Sequence, residues 1–499
     1  MWWIILITLS LVLIHYLMTK NFDYWRNRSV PGPHPWPLVG NIGPSFIGRR
    51  STGEIIKEIY RKYEGFPFVG IFRATTPVLL VRDPDFVKKI IVRDFKHFQD
   101  NDVEVDKDVD PVYAGTPFIL KGGSEWKTAR SQLSACFTPG KVQSMFPIMQ
   151  KSSERMVRYI GNEISISPQM ESWDLCGRYT LNNVATCAFD IEGKCFDEPH
   201  PSFKQFADEF LGYDHFWSTI KNSILLLIPS STNFFKIKII QDQIAQKILD
   251  YITTAWKHRK ENGVVMNDFI DYLYTLKSGP IPFTDLDATS RASVFLEDGY
   301  DTSSRTMSFF LFELANNTIV QETLRQEIME SYRENNNSFT YESILKMSYL
   351  EACLNESMRK NSINGQLRRV CTEKYTYTPT NPEFAKISIT VEPGTSIIVP
   401  VGAMQSDPNY FESPDEFKPE RFFDMDKIPK YSFMPFGEGP RLCIGKSFGK
   451  MQIKVGIVHL LKNYRVTVNQ KMQFPLKYNP WYGLLDVIGG MQIDLHKIE

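Results

Sequence analysis

One stretch of twenty residues, FMPFGEGPRLCIGKSFGKMQ, restricts the possible folds of this chain more than any other part of it. It runs over 433–452, and its four glycines and two prolines predict a tight loop that neighbouring backbone approaches closely. Val455 and Val458 follow at helical spacing, which indicates that the loop leads into a helix. Cys443 therefore lies near a helix N-terminus, where the helix dipole and free backbone N–H groups favour a thiolate.

The chain has seven cysteines, an odd number without a CxxC pair, so it does not look like a secreted disulfide framework. Six of them are interpreted as small buried hydrophobes in a reducing compartment: Cys136, Cys176, Cys187, Cys195, Cys353 and Cys371. Cys443 remains as the candidate metal ligand. A buried core cysteine after a glycine turn is the alternative interpretation of that residue.

The 57 basic and 57 acidic residues balance each other. A nucleic-acid-binding protein would need a basic excess, so no nucleic-acid partner is expected. Small molecules and other proteins are the expected partners.

The N-terminus begins with eighteen residues that carry no formal side-chain charge, close to the about 20 apolar residues that cross a bilayer as a helix. Lys20, Arg26 and Arg28 follow, which places this end of the helix on the cytosolic side. A cleaved signal peptide is the alternative, but a basic n-region and a small-residue cleavage site are not evident. We interpret 1–20 as a membrane anchor, 21–41 as a basic, proline-rich linker, and 42–499 as one large domain.

Helical periodicity dominates from about residue 140 onward, and short strand-like runs occur toward the two ends of the chain. The strand-like runs cover 69–72, 78–81, 387–391 and 397–400. A regular βαβ alternation is missing from the pattern. The sequence therefore predicts a mainly α fold with small β-sheets.

The spacing F-x-x-G-x-R-x-C-x-G, from Phe436 through Arg441 and Cys443 to Gly445, resembles the haem-binding signature of the cytochrome P450 family. This resemblance implies the cytochrome P450 fold and a haem b whose iron is held by the Cys443 thiolate. It also implies that Phe436, Arg441 and Gly445 contact the cofactor. The segment FGEGPRLCIG most resembles the same segment of microsomal enzymes of animals, in particular the arthropod detoxifying branch.

Two further segments resemble structural signatures of the same family. Glu356 and Arg359 match its ExxR motif, and Arg421 lies in a segment that resembles its PERF motif. By that resemblance the three residues form a buried charged triad. By itself an i, i+3 pair of this kind is weak evidence for the family, since exposed pairs with this spacing are common.

Four residues match the family's haem-propionate partners. Trp126 and Arg130 resemble its WxxxR motif, and their spacing puts both side chains on one helical face. Arg441 and Arg369 match two more partners. Three arginines against two carboxylates is electrostatically reasonable, and a solvated surface charge is the alternative for any one of them.

The segment 295–302, FLEDGYDT, resembles the family's central helix above the haem. There Gly299 would leave room for dioxygen, and Asp301 and Thr302 would guide protons to it. A threonine inside a helix can donate to the carbonyl four residues earlier and distort the helix. An ordinary polar helical residue is the alternative for Thr302.

The sequence departs from the family pattern at two places. Asp298 stands where Ala or Gly is usual, and a carboxylate in a dry pocket is costly unless it is partnered or protonated. The related fatty-acid omega-hydroxylases carry a Glu there that can be ester-linked to haem, so we hypothesise that Asp298 contacts or esterifies the haem. The second departure is the polar stretch 361–366, where relatives often have Pro-Pro, and it leaves the substrate class open.

The resemblance implies a membrane-bound monooxygenase that inserts one oxygen atom from O2 into a lipophilic xenobiotic, lipid or hormone. The candidate cavity residues are Phe118, Phe206, Phe210, Phe216 and Phe295, with plain core packing as the alternative. Without a GxGxxG fingerprint after a strand, the electrons must come from a separate protein. The family implies NADPH–cytochrome P450 reductase on the endoplasmic reticulum membrane, with cytochrome b5 as a second candidate and the catalytic domain in the cytosol.

The expected partner surface contains Lys127, Lys446 and Lys450, which are otherwise solvated surface charges. Two alternative functions stay open, a haem-thiolate isomerase or dehydratase and a non-catalytic haem protein. The isomerase relatives typically lack the Gly-x-acid-Thr series that is present here at 299–302.

Overall fold

The computed structural model describes residues 2–212, 235–266, 268–381, 384 and 387–498. Most of these residues are helical. The helices span Trp2–Thr19, Gly43–Phe46, Thr52–Lys62, Pro84–Lys88, Pro111–Ala114, Ser124–Ser134, Pro139–Glu163, Ser172–Phe189, Ser202–Leu211, Asp242–Asn262, Phe269–Lys277, Asp285–Glu297, Ser303–Asn316, Thr318–Glu334, Tyr341–Lys346, Ser348–Lys360, Val401–Met404 and Lys446–Asn463.

Nine short strands complete the described fold: β1 Phe68–Arg73, β2 Thr76–Val81, β3 Gln169–Glu171, β4 Leu367–Val370, β5 Tyr375–Tyr377, β6 Ile389–Val391, β7 Ser396–Val399, β8 Tyr464–Val468 and β9 Gln492–Lys497. They form three small sheets with the orders β1-β2-β7-β4, β3-β9-β8 and β5-β6. In the largest sheet β2 and β7 are parallel, and β4 pairs antiparallel with β7. The prediction of a mainly α fold with small sheets is confirmed.

The core is built around one long helical run, 285–316, which we call the central helix. A capping box starts it, in which the Thr284 hydroxyl accepts from the backbone of Asp287 and the Asp287 carboxylate accepts from that of Thr284. The run changes to a π-helical turn at Asp298–Thr302 and then returns to α-helix. The helices Ser172–Phe189 and Lys446–Asn463 pack against it and are largely buried themselves.

The segment 21–41 packs on the largest sheet, so the expectation of a separate linker needs correction. Trp25 is 4% exposed, and its indole N–H donates to the Ile71 carbonyl at 2.9 Å. A Cβ added at Gly70 would lie 2.3 Å from the Trp25 ring, so this strand position accepts the indole only because it is glycine. Apolar burial against the sheet outweighs the stiffness of the prolines, and the folded body begins before residue 42.

Two tryptophans of this segment provide a matched stability test. Trp25→Ala should lower the free energy of unfolding by about 3–5 kcal/mol, because it empties a buried site. Trp36→Ala should change it by no more than about 0.5 kcal/mol, since Trp36 is 71% exposed. Thermal unfolding of the full chain in detergent measures both variants, and equal effects would contradict the packed arrangement.

The helix Trp2–Thr19 contains no buried residue. Its mean hydropathy is 1.9 over 18 residues, so its length and composition suit a membrane span. Signal sequences at an N-terminus share these properties.

Candidate active site

The loop before the helix Lys446–Asn463 holds Cys443 in a defined position. The Cys443 backbone N–H donates to the Phe436 carbonyl at 2.9 Å, which closes the loop. Gly439 has a φ of 74°, and a Cβ there would lie 1.9 Å from the Ile91 carbonyl oxygen. The predicted close backbone approach is therefore present, and glycine is required for it.

Gly445 caps the following helix and interacts with the cysteine directly. Its backbone N–H donates to the Cys443 sulfur, which lowers the pKa of the thiol. A Cβ at Gly445 would meet no atom within 4 Å. Gly445 thus faces open space beside the sulfur. A residue that packs against a bound planar group would have such space in front of it.

The exposure of Cys443 distinguishes it from the other cysteines. Its side chain is accessible, whereas the other six cysteines are buried. Desolvation nevertheless raises the pKa of Cys443 to about 11, with a further contribution from the negative charge of Asp298. Cys443 is thus accessible and close enough to Asp298 for the charge of that residue to act on the thiol.

The central helix is distorted at the predicted place. The Thr302 hydroxyl donates to the Asp298 carbonyl oxygen at 2.8 Å across the π-helical turn. Gln452 donates its amide to the Gly299 carbonyl at 2.9 Å, which satisfies a carbonyl that the turn displaces. The bond expected for Thr302 is therefore present.

Asp301 is buried in an ion-pair network. Its carboxylate accepts from Arg305 Nε at 2.8 Å and from the Tyr482 hydroxyl at 2.6 Å. Arg305 also donates to Asp486 at 2.5 Å. These partners were not predicted from the sequence, although Arg305 follows Asp301 at the i+4 spacing of a helical ion pair.

The expectation that Gly299 leaves room for dioxygen is wrong. A Cβ at Gly299 would lie 3.0 Å from the Phe295 ring and 3.1 Å from Val184 Cγ2. The glycine therefore permits close packing of the helix Ser172–Phe189 on the central helix. Successive residues of a helix point in directions about 100° apart. The motif alone therefore does not show which side of the central helix Gly299 faces.

The four predicted propionate partners lie together. Arg369 is 5% exposed, and desolvation followed by the charge of Arg441 lowers its pKa to about 9, with Arg130 adding to the effect. Among the described residues, Arg369 Nε and the Trp126 indole N–H are buried without a hydrogen-bond acceptor. A buried cation and a buried indole N–H without an acceptor favour an anion as their partner, and haem propionates fit that need.

Arg441 also holds the loop in place. Its guanidinium donates to the carbonyls of Gln99, Pro117 and Leu120 at 2.6, 3.0 and 2.7 Å. It lies 4.7 Å over the Trp126 ring. Each terminal nitrogen carries a second N–H, so a carboxylate acceptor remains compatible with this arrangement.

Glu356, Arg359 and Arg421 come together as the resemblance implied. The side chains of Glu356 and Arg359 are 0% exposed, and their closest charged atoms are 2.7 Å apart. Arg421 Nε lies 3.3 Å from the same carboxylate. Arg359 also donates to the carbonyls of Gln405 and Pro414, so the network ties the helix Ser348–Lys360 to the segment before the cysteine loop.

Three expectations about surfaces need correction. Phe295 packs with three other phenylalanine rings, at centroid distances of 4.9, 5.1 and 5.1 Å, and Phe206 is 4% exposed. Both are core residues, because their rings are buried against neighbouring side chains. Phe216 lies outside the described residues. Lys450 pairs with Glu351 and is half-buried, so only Lys127 and Lys446 of the proposed partner surface are exposed.

A helical body in which an accessible thiol lies near a π-distorted central helix and a cluster of three arginines defines the class of haem-thiolate proteins. The family model described as cytochrome P450 matches residues 30–494. The chain belongs to the cytochrome P450 family.

Three insect relatives align with almost the whole chain. Cytochrome P450 6j1 of Blattella germanica is 34% identical over 98% of this chain and 96% of its own length. Probable cytochrome P450 6a13 of Drosophila melanogaster is 31% identical over 98% and 97%, and cytochrome P450 9e2 of Blattella germanica is 30% identical over 98% and 96%. The predictions of an arthropod-type cytochrome P450 and of a monooxygenase are confirmed.

Proposed function

We propose that this cytochrome P450 inserts one oxygen atom from O2 into a lipophilic organic substrate, a xenobiotic or an endogenous lipid or hormone, with electrons from NADPH–cytochrome P450 reductase. The observation that carries this proposal is the accessible Cys443 thiol, which lies close enough to the Asp298–Thr302 turn for the charge of Asp298 to raise its pKa. A ligand between these two elements would be close to both.

The chain's own residues supply a binding place for haem b. Cys443 provides the thiolate ligand, Phe436 and Gly445 lie beside it, and Trp126 and Arg369 with the neighbouring arginines provide donors for the propionates. Haem bound in this way supplies the oxygen-activating chemistry of the family. The protein excludes water and holds the substrate against it.

Thr302 and Asp301 are proposed to hold and pass protons beside the haem site. The Thr302 hydroxyl, which donates to Asp298, keeps lone pairs free to accept a proton donor. The Asp301 carboxylate is held by Arg305 and Tyr482, so these partners set its orientation. Proton transfer through Asp301 requires that one of these two bonds open.

The helix Trp2–Thr19 is proposed to anchor the enzyme in the endoplasmic reticulum membrane, with the catalytic domain in the cytosol. The exposed Lys127 and Lys446 would then face the acidic surface of the reductase, and cytochrome b5 would compete for the same surface.

Reconstitution tests the proposed activity. The holoenzyme is combined with the reductase in lipid vesicles and supplied with alkoxycoumarins as lipophilic probes. We expect reductase-dependent NADPH consumption and incorporation of one atom of labelled dioxygen into the product. Turnover of organic peroxides without reductase would instead indicate an isomerase or dehydratase, and no turnover at all would indicate a non-catalytic haem protein.

Trp126→Phe tests the propionate partners. It should accelerate haem transfer to apomyoglobin roughly 10–100-fold, since a hydrogen bond to a charged group contributes about 1.5–3 kcal/mol. The control Trp36→Phe, at a 71% exposed site, should leave the transfer rate unchanged. Equal rates in both variants would remove Trp126 from the haem site.

Asp298 is proposed to lie against the haem, and acid–acetone extraction tests how. An ester would be established if haem stays with the wild-type protein during extraction but is lost from the Asp298→Asn variant. Haem that leaves the wild type freely would limit Asp298 to a non-covalent contact, as the shorter reach of Asp compared with Glu favours.

A further inference from the structure

A polar cavity lies between the helix Ser124–Ser134 and the first turns of the central helix, and its volume is about 300 Å³. Ser124 and Thr128 line it from the first helix, one turn apart, and Asp287 and Arg291 line it from the second. None of the residues that the proposed function assigns to the haem lines this cavity. It is therefore a separate candidate site.

Arg291 brings to this cavity a buried donor that lacks an acceptor. Its side chain is 5% exposed. One terminal nitrogen donates to the Gly115 carbonyl at 2.8 Å, and the other donates to Gln132 Oε1 at 3.2 Å. The Nε atom is buried without a hydrogen-bond partner among the described residues. A buried donor that stays unpaired is costly, so this arrangement favours a ligand that supplies an acceptor.

The helix Ser124–Ser134 begins at the same cavity without a side-chain cap. Its N-cap residue is Gly123, which has no side chain to accept from the first-turn N–H groups. The hydroxyls of Ser124 and Thr128 form no hydrogen bond with any residue that the structure describes. An uncapped helix start favours an anion. Together with the unpaired guanidinium N–H of Arg291, these donors indicate an oxyanion ligand.

Two carboxylates at the cavity restrict the charge of this anion. Glu125 lies in the first turn of the helix Ser124–Ser134, and the Asp287 carboxylate lies 3.9 Å from a terminal nitrogen of Arg291. The repulsion between like charges grows with the product of the charges. A doubly charged phosphate is therefore disfavoured more strongly than a singly charged carboxylate.

The size and the remaining lining residues favour a ligand with an apolar body. Leu120, Ala129 and Pro282 contribute apolar atoms to the cavity. A water molecule takes up about 30 Å³ in the liquid, so the cavity has room for much more than a small inorganic anion. An organic acid fits both the donors at one end and the apolar residues beside them.

We infer that this cavity binds a lipophilic organic acid, whose carboxylate accepts from Arg291, from the hydroxyls of Ser124 and Thr128 and from the start of their helix. The site goes beyond the proposed monooxygenase function. Its ligand would lie against the helix Ser124–Ser134, whose other residues Trp126 and Arg130 are proposed to bind the haem propionates.

The test uses two probes of the same shape, 4-phenylbutyrate and its uncharged amide, 4-phenylbutanamide. The haem site of the detergent-solubilised holoenzyme is first filled with 4-phenylimidazole, and the Soret shift of the iron–imidazole complex verifies that it is full. Isothermal titration calorimetry then gives the dissociation constant of each probe. The variants are Arg291→Gln and Ser124→Ala/Thr128→Val, with Arg333→Gln and Thr323→Val at exposed helical positions as the matched controls.

We expect one molecule of 4-phenylbutyrate to bind per chain, about tenfold or more tightly than the amide, because hydrogen bonds to a charged group are the strong ones. Arg291→Gln should remove this preference for the acid. Ser124→Ala/Thr128→Val should raise the dissociation constant of the acid by about threefold or more, since two hydroxyl donors are lost. Both controls should leave it unchanged. If Arg291→Gln does not fold, the hydroxyl variant at two exposed positions gives the same comparison.

Equal binding of the acid and the amide would overturn the inference, and so would an acid that no longer binds once the haem site is filled. Inorganic phosphate that binds more tightly than the acid would overturn the choice of a carboxylate. An unchanged dissociation constant in Ser124→Ala/Thr128→Val would overturn the location of the site. The measurement needs no turnover, so its outcome is separate from that of the proposed monooxygenase function.

Discussion

Cys443→Ala should abolish the red-shifted absorption that thiolate-ligated haem shows after reduction and treatment with carbon monoxide. Monooxygenation should fall by more than about 100-fold, because residues that merely orient a metal ligand already contribute about 10–100-fold. The protein should still fold, since Cys443 is accessible and its removal leaves no buried cavity.

Cys187→Ala is the matched control. Cys187 is 0% exposed in the helix Ser172–Phe189, where it acts as a small apolar side chain. This variant should keep the full absorption. A red-shifted band that survives Cys443→Ala would show that another group ligates the iron and would refute the site.

Glu356→Gln should have the largest effect on stability. The substitution leaves the fully buried Arg359 guanidinium without a counter-charge, at a cost of about 3–5 kcal/mol. That cost is a large fraction of the about 5–15 kcal/mol by which proteins are stable. We therefore expect little holoenzyme and a markedly lower thermal midpoint.

Asp23→Asn provides the comparison at equal spacing. Asp23 and Arg26 also form an i, i+3 pair, at 2.8 Å, but their side chains are 60% and 78% exposed. Breaking an exposed pair costs about 0–1 kcal/mol, so this variant should keep a wild-type midpoint. Thermal unfolding of the detergent-solubilised holoenzyme, followed by the carbon-monoxide band, measures both. Similar midpoints for the two variants would show that burial does not decide the effect.

Local signals in the sequence predicted the parts of the site that depend on short spacing. The glycines of 433–452 require a tight loop, and that loop carries Cys443 to the helix start. Thr302 bonds back by four residues because helical geometry alone places its hydroxyl there. Glu356 and Arg359 likewise form a pair because residues three positions apart lie on the same face of a helix.

Features that depend on distant parts of the chain were not predictable in this way. Whether Lys450 is free depends on Glu351 of another helix, and whether 21–41 is a linker depends on the sheet that covers Trp25. The direction of Gly299 follows from how the helix Ser172–Phe189 packs on the central helix. None of these partners lies near in sequence.

The sequence by itself determined the thiolate loop, the helical class and the family, because each is encoded in residues a few positions apart. Only the tertiary structure decided which charges are paired. It joins Asp301 to Tyr482 and Lys450 to Glu351, residues that lie far apart in the sequence. The physical reason is that burial and charge pairing depend on which segments pack together, and these segments are distant from one another in the sequence.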